Sequence, residues 1–140
     1  MAAAFAIRTF RYADTDAVVE LWRTVFHDDA PRNDPIEILR SKLGAGPEQI
    51  LVGESDRRVV ATVLFGWDGH RGWIYHLAVD PRERRRGFGR RIMEEAERRL
   101  RALGCPKVNL QVRADNAGVV AFYERLGFSV EDRVSLGKVL

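Results

Sequence analysis

The stretch WIYHLAVDPRERRRGFGRRIMEEAERRLRALG, residues 73–104, joins a largely apolar run to the longest helical pattern of the chain. Residues 73–79 stop at Asp80-Pro81, which is typical of a buried strand that ends in a turn. The later residues that share one helical face are Phe88, Ile92, Ala96, Leu100 and Leu103. The stretch therefore predicts a strand, a loop and a helix, and the helix begins at the strand ends, where open α/β sheets bind ligands.

The segments on both sides predict a single α/β domain that spans residues 1–140. Apolar runs bounded by turn residues predict strands at residues 5–10, 49–55, 59–67, 73–79 and 107–112, and two more within residues 128–139. Helical spacing and capping residues predict helices behind Asp14, behind Asp34 as far as Gly44, over the apolar face that includes Phe88, and from Asn116 to Gly127. The predicted order is βααβββαβαββ.

Composition limits the class of protein. With 140 residues, 46% of them hydrophobic and 31% charged, the chain has the make-up of one soluble domain. Cys105 is the only cysteine, so no internal disulfide and no paired-cysteine metal site is expected, and we predict no metal. Arg8 follows too soon for a secretory apolar segment or a spanning helix. These features predict a cytoplasmic protein with no membrane partner.

An arginine cluster indicates an anionic partner. Six arginines fall between residues 82 and 91, although the formal net charge is only +3. Such a cluster suits a nucleotide cofactor, a nucleic acid or an acidic surface, and it is equally typical of a solvated helix start. No nucleic-acid-binding motif is present and Phe88 is the only aromatic residue in the cluster, so we predict no nucleic-acid partner.

The loop RRRGFG, residues 84–89, has the residue types that bind phosphate groups. A helix start offers unpaired N–H groups and the positive end of the helix dipole, and two glycines let the backbone approach an anion closely. The loop matches neither the Walker pattern nor the dinucleotide-binding GxGxxG pattern. From these six residues alone, a pyrophosphate site and a glycine-containing turn with solvated arginines remain equally open.

Three motifs together resemble the GNAT superfamily of N-acetyltransferases in order and spacing. They are HLAVDP at residues 76–81, RRRGFG at residues 84–89, and Asn116 followed by YERLGF at residues 123–128. The resemblance covers about residues 7–139, and several loops are similar to the bacterial YpeA-type subgroup. It implies a mixed, mostly antiparallel central sheet flanked by helices. It also implies transfer of an acetyl group from acetyl-CoA to an amine of a small molecule or a protein.

The resemblance also implies roles for individual residues. The strand expected to pair with the pantetheine arm holds Leu77, Ala78 and Val79. The loop expected to bind the pyrophosphate holds Arg84, Arg85, Arg86, Gly87, Phe88, Gly89 and Arg90. Asn116 matches a pantetheine contact, and Tyr123 matches the tyrosine near the thioester sulfur, where it would act as the general acid. Taken singly, Asn116 is equally typical of a helix cap and Tyr123 of a packed aromatic residue.

The general base has no matching residue. Family members commonly carry a glutamate where this chain has Gln111, or an acid or histidine where it has Trp73 and Tyr75, and none of these three titrates as a base near neutral pH. We expect His76 to be a core histidine, because alternation along a strand turns it away from the face of Tyr75. The missing base leaves open a second function, a non-catalytic acyl-CoA-binding sensor or interaction module. The chain could equally be a monomer or a homodimer.

Overall fold

A computed structural model describes residues 4–27 and 30–140, which divide into two compact units, Met1–Leu110 and Gln111–Leu140. The strands of the first unit are β1 (Phe5–Thr9), β2 (Ile50–Ser55), β3 (Arg58–Trp67), β4 (Gly72–Val79) and β5 (Val108–Asn109). Its helices are α1 (Thr15–Val25), α2 (Pro35–Ala45) and α3 (Phe88–Ala102). The second unit contains α4 (Ala117–Arg125). The single domain expected over residues 1–140 stays a prediction.

The strands form one sheet in the order β1-β2-β3-β4-β5. Every neighbouring pair is antiparallel except β4 and β5, which are parallel because α3 carries the chain back between them. Strands β2 and β3 are joined by Asp56 and Arg57, whose φ angles of 51° and 63° suit the tight turn of a twisted hairpin. The predicted α/β class with a mostly antiparallel sheet is therefore confirmed.

Helices cover both faces of this sheet. Helix α1 packs on β3 and β4 and contacts α2, and the buried core on that side includes Val18, Trp22, Leu39, Val52 and Leu64. The strand residues that alternate with these, such as Leu51 and Val63, are also fully buried. Helix α3 contacts the same strands, so it covers the opposite face with the side chains Phe88, Ile92, Met93, Ala96 and Leu100.

Two sequence signals for helix starts have different outcomes. Asp34 caps α2 as predicted, since its carboxylate accepts a hydrogen bond from the Ile36 N–H at 2.9 Å. Asp14 stands at the N-cap position of α1 but makes no capping bond. Its carboxylate instead accepts two hydrogen bonds from the Arg8 guanidinium, each 2.8 Å long, and one from the Arg11 N–H at 2.7 Å. Asp14 therefore fastens β1 to the start of α1.

The C-terminal strands differ from the prediction. The strand expected at residues 107–112 is reduced to β5, and the described chain contains no strand after α4, so the two closing strands are not formed. The apolar side chains of that segment are mostly exposed: Val130, Val134, Leu136 and Val139. Strand formation requires a hydrogen-bonding neighbour as well as suitable side chains, and the sequence pattern reports only the side chains.

No helix in residues 4–27 and 30–140 combines the length and the apolar content that crossing a bilayer demands. No group of three or more histidine, cysteine or acidic side chains in those ranges is arranged as a metal site would require.

Asp14→Asn is expected to lower the free energy of unfolding by about 1–3 kcal/mol near neutral pH, because the Arg8 donors lose their anionic partner. The Arg8 guanidinium holds the pKa of Asp14 below its ordinary value. The pair therefore stabilises the fold above the unfolded-state pKa, and this stabilisation is lost as the pH falls through the folded-state pKa. Urea unfolding across this acid range should show that the difference in the free energy of unfolding between wild type and variant decreases as the pH falls.

Asp56→Asn is the matched control, since Asp56 is exposed and asparagine also tolerates its turn conformation. If the difference in the free energy of unfolding between wild type and Asp14→Asn does not change with pH, the loss of stability cannot be assigned to the ion pair.

Candidate active site

Strand β4 contains a bulge next to the residues expected to meet the pantetheine arm. Thr62 pairs with Ala78 and Leu64 with Tyr75, so one residue of β3 lies opposite two residues of β4, His76 and Leu77. His76 has a φ of 50°, which is uncommon for a residue other than glycine. A bulge of this kind interrupts the ladder and re-aims the backbone of its strand. The interruption falls just before Ala78 and Val79.

A buried hydrogen-bond chain connects this bulge to α1. The Trp22 indole N–H donates to the Thr62 hydroxyl at 2.8 Å, and that hydroxyl donates to the His76 carbonyl at 3.4 Å. Trp22 and Thr62 are both fully buried. The bulge is thus supported from the adjacent strand and from the helix above it.

The other edge of β4 is paired over only a short length. Strand β5 pairs Gly72 with Val108 and Trp73 with Asn109, and their ladder ends there. Within the first unit, the C-terminal half of β4 therefore extends beyond its pairing with β5. An extended ligand with amide groups could add to such an edge through backbone hydrogen bonds, as a peptide strand does.

The loop after β4 places two left-handed residues in front of α3. Arg85 has a φ of 66° and Gly87, the N-cap residue of α3, has a φ of 78°. Gly87 is exposed and no atom lies within 4 Å of the position that a Cβ would occupy there. No side chain at the N-cap position bonds to the first N–H groups of α3. The helix start is therefore open to an anionic group.

The arginines of this loop divide into paired and unpaired side chains. Three of them lie near acids: Arg82 near Asp80, Arg86 near Glu83 and Arg90 near Glu94. Arg84 and Arg85 are exposed, and neither forms an ion pair with any residue in ranges 4–27 and 30–140. These two guanidinium groups are the ones that an incoming phosphate would meet without displacing an existing partner.

Phe88 contributes to the loop through its backbone only. Its ring is buried and stacks on Phe5 with the ring centroids 4.0 Å apart. The Arg86 guanidinium lies over the same ring, 5.2 Å from its centroid. Phe88 therefore anchors the start of α3 to β1, and its N–H is the part of the residue that fits the predicted cofactor role.

The second unit holds the remaining predicted residues. Asn116 is the N-cap of α4, where its side-chain oxygen accepts a hydrogen bond from the Val119 N–H at 3.4 Å. Its pantetheine contact stays a prediction. Tyr123 is half-buried and meets Phe122 and Phe128 edge-on, with centroids 5.2 and 5.5 Å away. Burial raises the pKa of Tyr123 to about 12, so its phenol is protonated at neutral pH.

A cleft of about 370 Å³ lies between α2, the turn before it and strands β3 and β4. Tyr75 and His76 both line this cleft, so the expectation that His76 faces away from Tyr75 is wrong. The bulge is the physical reason, because an extra residue breaks the alternation of side chains along a strand. The side-chain pattern of β4 does not reveal the extra residue. It can be recognised only from the pairing of β4 with β3.

The imidazole of His76 is held between aromatic rings. It meets Trp22 and Phe26 edge-on, with centroid distances of 5.0 and 4.7 Å. Burial lowers the pKa of His76 below its ordinary value, which keeps the ring neutral at pH 7. A neutral imidazole that borders a cleft can accept a proton from a bound molecule.

Sequence reasoning missed the two cations of this cleft, Arg32 and Lys42. The Lys42 ammonium donates to the Gln49 side-chain oxygen at 2.8 Å and to the Phe65 carbonyl at 2.7 Å, and burial lowers its pKa. Lys42 follows the buried Leu39 by three residues, so helical periodicity could have placed it on the inward face of α2.

Sequence and structure comparisons relate the chain to known acetyltransferases. Residues 15–128 match the sequence model of the acetyltransferase (GNAT) family. An acetyltransferase of Yersinia enterocolitica is 42% identical over 136 residues, which cover 96% of this chain and 94% of that protein. The crystal structure of Ard1 from Thermoplasma volcanium has a TM-score of 0.81 at 26% identity and covers 91% of this chain and 84% of its own.

A further crystal structure, PaiA N-acetyltransferase from Thermoplasma acidophilum in complex with coenzyme A, has a TM-score of 0.80. The match covers 94% of this chain and 93% of that one at 16% identity, so it concerns the fold alone.

Proposed function

The chain belongs to the acetyltransferase (GNAT) family, and we propose that it transfers an acetyl group from acetyl-CoA to a primary amine of a small molecule or a protein. One observation carries the proposal. The partly unpaired edge of β4 and the open start of α3 follow each other along the chain, as a cofactor with a pantetheine arm and a pyrophosphate requires. A coenzyme A complex of a protein with the same fold supports it.

The residues present fit acetyl-CoA, which would supply an activated thioester. The backbone of Leu77, Ala78 and Val79 would bind the amide groups of the pantetheine arm. The N–H groups at the start of α3 would bind the pyrophosphate, and the exposed Arg84 and Arg85 would add positive charge. Gly87 would leave the space that the phosphate oxygens need.

Gly87→Glu is expected to weaken acetyl-CoA binding by at least a hundredfold, because a carboxylate would occupy the place of the pyrophosphate and repel it. Isothermal titration calorimetry measures the change. The matched control is Gly104→Glu, since Gly104 also has a positive φ of 90° and no atom within 4 Å of its Cβ position. Both variants should lose a similar amount of stability, about 1–2 kcal/mol, from the left-handed backbone. Equal cofactor affinities for the two variants would remove the pyrophosphate assignment.

We assign Tyr123 the role of general acid, on the family resemblance and on its protonated state. Its phenol would donate to the sulfur as the carbon–sulfur bond breaks. A phenol of pKa about 12 is a weaker acid than a thiol, whose ordinary pKa is about 8.5, so transfer of the proton to a fully formed thiolate is uphill. The main contribution of Tyr123 is therefore a hydrogen bond that strengthens as charge develops on the sulfur.

Tyr123→Phe should lower kcat by about tenfold to a hundredfold and leave the dissociation constant of acetyl-CoA nearly unchanged. The ring keeps its packing against Phe122 and Phe128, so only the hydroxyl is lost. Thiol release at saturating acceptor measures kcat, and calorimetry measures binding. Tyr12→Phe is the control, because Tyr12 is 84% exposed. If affinity weakens while kcat stays constant, the hydroxyl binds the cofactor and is not the acid.

We assign the role of general base to His76. The bulge brings its ring into the cleft that borders β4, one residue before Leu77, and its imidazole is neutral at pH 7. The charged or titratable groups that line the same cleft are Arg32, Lys42 and Tyr75, none of which is a better proton acceptor near neutral pH. This assignment fills the role for which sequence reasoning found no residue.

His76→Gln is expected to reduce kcat by about a hundredfold, the usual lower contribution of a general base. Because burial lowers the pKa of His76, the wild-type rate should fall only below about pH 6.5, and the variant should lack this acidic limb. The pH profile of kcat tests both points, with His70→Gln as a control in an exposed loop. A loss smaller than tenfold with an unchanged profile would mean that His76 is a packing residue.

A further inference from the structure

We propose that the cleft between α2 and β4 selects acceptor amines that also carry an anionic group, a carboxylate or a phosphate. This inference rests on the proposed acetyl transfer, since it names the substrate class of the same enzyme. The cleft has a volume of about 370 Å³, which can hold an acceptor of small-molecule size.

The described lining of the cleft carries positive charge. Among its described lining residues, Arg32 and Lys42 are cations and none is a carboxylate. Arg32 is exposed and forms no ion pair with any residue in ranges 4–27 and 30–140. Two nearby acids have other partners: Glu37 on α2 pairs with Arg40 at 3.1 Å, and Asp34, just before α2, caps the helix. The described lining therefore presents positive charge to an entering molecule.

The Lys42 ammonium has no anionic hydrogen-bond partner among the described residues. Its ammonium has three donors, and the two with partners bond to the neutral oxygens of Gln49 and Phe65. Burial lowers the pKa of Lys42, and Glu48 opposes this shift only in part, without forming an ion pair with Lys42. A partly buried ammonium that lacks a counter-ion loses hydration without gaining an opposite charge. An anionic ligand would supply that charge and the third acceptor.

The cations and the histidine of the cleft come from different elements. Arg32 and Lys42 belong to α2 and the turn before it, whereas His76 belongs to β4, so the cations and the proton acceptor lie on different elements that border one cleft. An acceptor with an anionic group at one end and an amine at the other can contact both. Tyr75 is half-exposed beside His76 and can cover the apolar part of such a molecule.

The chemical step then balances. The neutral amine nitrogen bonds to the thioester carbonyl carbon, and the carbon–sulfur bond breaks with its electron pair on sulfur. One amine proton passes to His76. The thiolate then takes this proton from the imidazolium through solvent, which leaves an amide, a free thiol and a neutral imidazole. The anionic group of the acceptor takes no part in the step and fixes only the position of the amine.

The test compares acceptors that differ only in charge. The probes are ω-amino acids of two to six carbons, the corresponding ω-amino amides, and aminoalkyl phosphates, each at concentrations corrected for the neutral amine fraction. We expect kcat/KM to be at least about tenfold higher for the acids or the phosphates than for the amides, mainly through KM. Whichever anion gives the higher value identifies the group that the cleft takes.

Arg32→Gln and Lys42→Met should each reduce this preference by about tenfold and leave kcat/KM for the amides within about twofold. Arg40→Gln is the matched control on the exposed side of α2 and should keep the preference. Arg32 is exposed, so its variant should fold normally, and urea unfolding reports the stability of Lys42→Met. Equal kcat/KM for acids, phosphates and amides would overturn the inference and leave the proposed function intact. A preference that survives both cleft variants would overturn it as well.

If the protein binds acetyl-CoA but acetylates none of these amines, the small-molecule acceptor class fails. If it does not bind acetyl-CoA at all, the proposed function fails first. Calorimetry on the wild-type protein separates these two outcomes.

Discussion

The hydrogen-bond chain from the Trp22 indole through the Thr62 hydroxyl to the His76 carbonyl supports the most unusual part of the backbone. A bulge with a positive φ at a histidine is costly unless the surrounding structure holds it. Here the buried Thr62 hydroxyl donates to the displaced carbonyl and the buried Trp22 indole donates to that hydroxyl, so satisfied polar groups in the core offset the cost. Without the bulge, β4 would continue its ladder with β3 and the His76 ring would turn to the other face of the sheet.

The two features of the first unit that are proposed to bind acetyl-CoA follow from where the pairing of β4 with β5 ends and where α3 begins. Strand β4 extends beyond its pairing with β5, and α3 begins after Gly87, which has no side chain to cap the helix. Within the first unit, each of these ends leaves backbone groups that the described strands and helices do not pair, and such groups need other partners. The side chains leave the start of α3 accessible. Arg84 and Arg85 form no ion pairs with the described residues, and Phe88 turns its ring into the core. The site is thus largely a backbone site.

The sequence predicts the fold well where local chemistry decides the structure. The strand, loop and helix of residues 73–104 are marked by a change of periodicity, and Asp34 caps its helix because the required N–H lies only two residues away. Prediction fails where a contact outside the element's own repeating pattern decides the structure. Asp14 is typical of an N-cap, but Arg8 binds its carboxylate. The bulge at His76 depends on the register of β4 with β3. The two closing strands do not form because an alternating side-chain pattern does not by itself provide a hydrogen-bonding neighbour.

Strand β4 serves two purposes at once, since its backbone faces the expected cofactor and its bulge forms part of the cleft wall. A molecule that hydrogen-bonds to the edge of β4 would also restrict the bulge and with it the His76 ring. Binding at the edge and binding in the cleft would then both require the bulge to be ordered. The first ligand would supply the free energy of this ordering, so the second ligand would bind more tightly. Such a linkage is reciprocal, so a factor by which the cofactor improves acceptor affinity must equally improve cofactor affinity when the acceptor binds first. Substrate synergism would thus arise from a single extra residue in one strand.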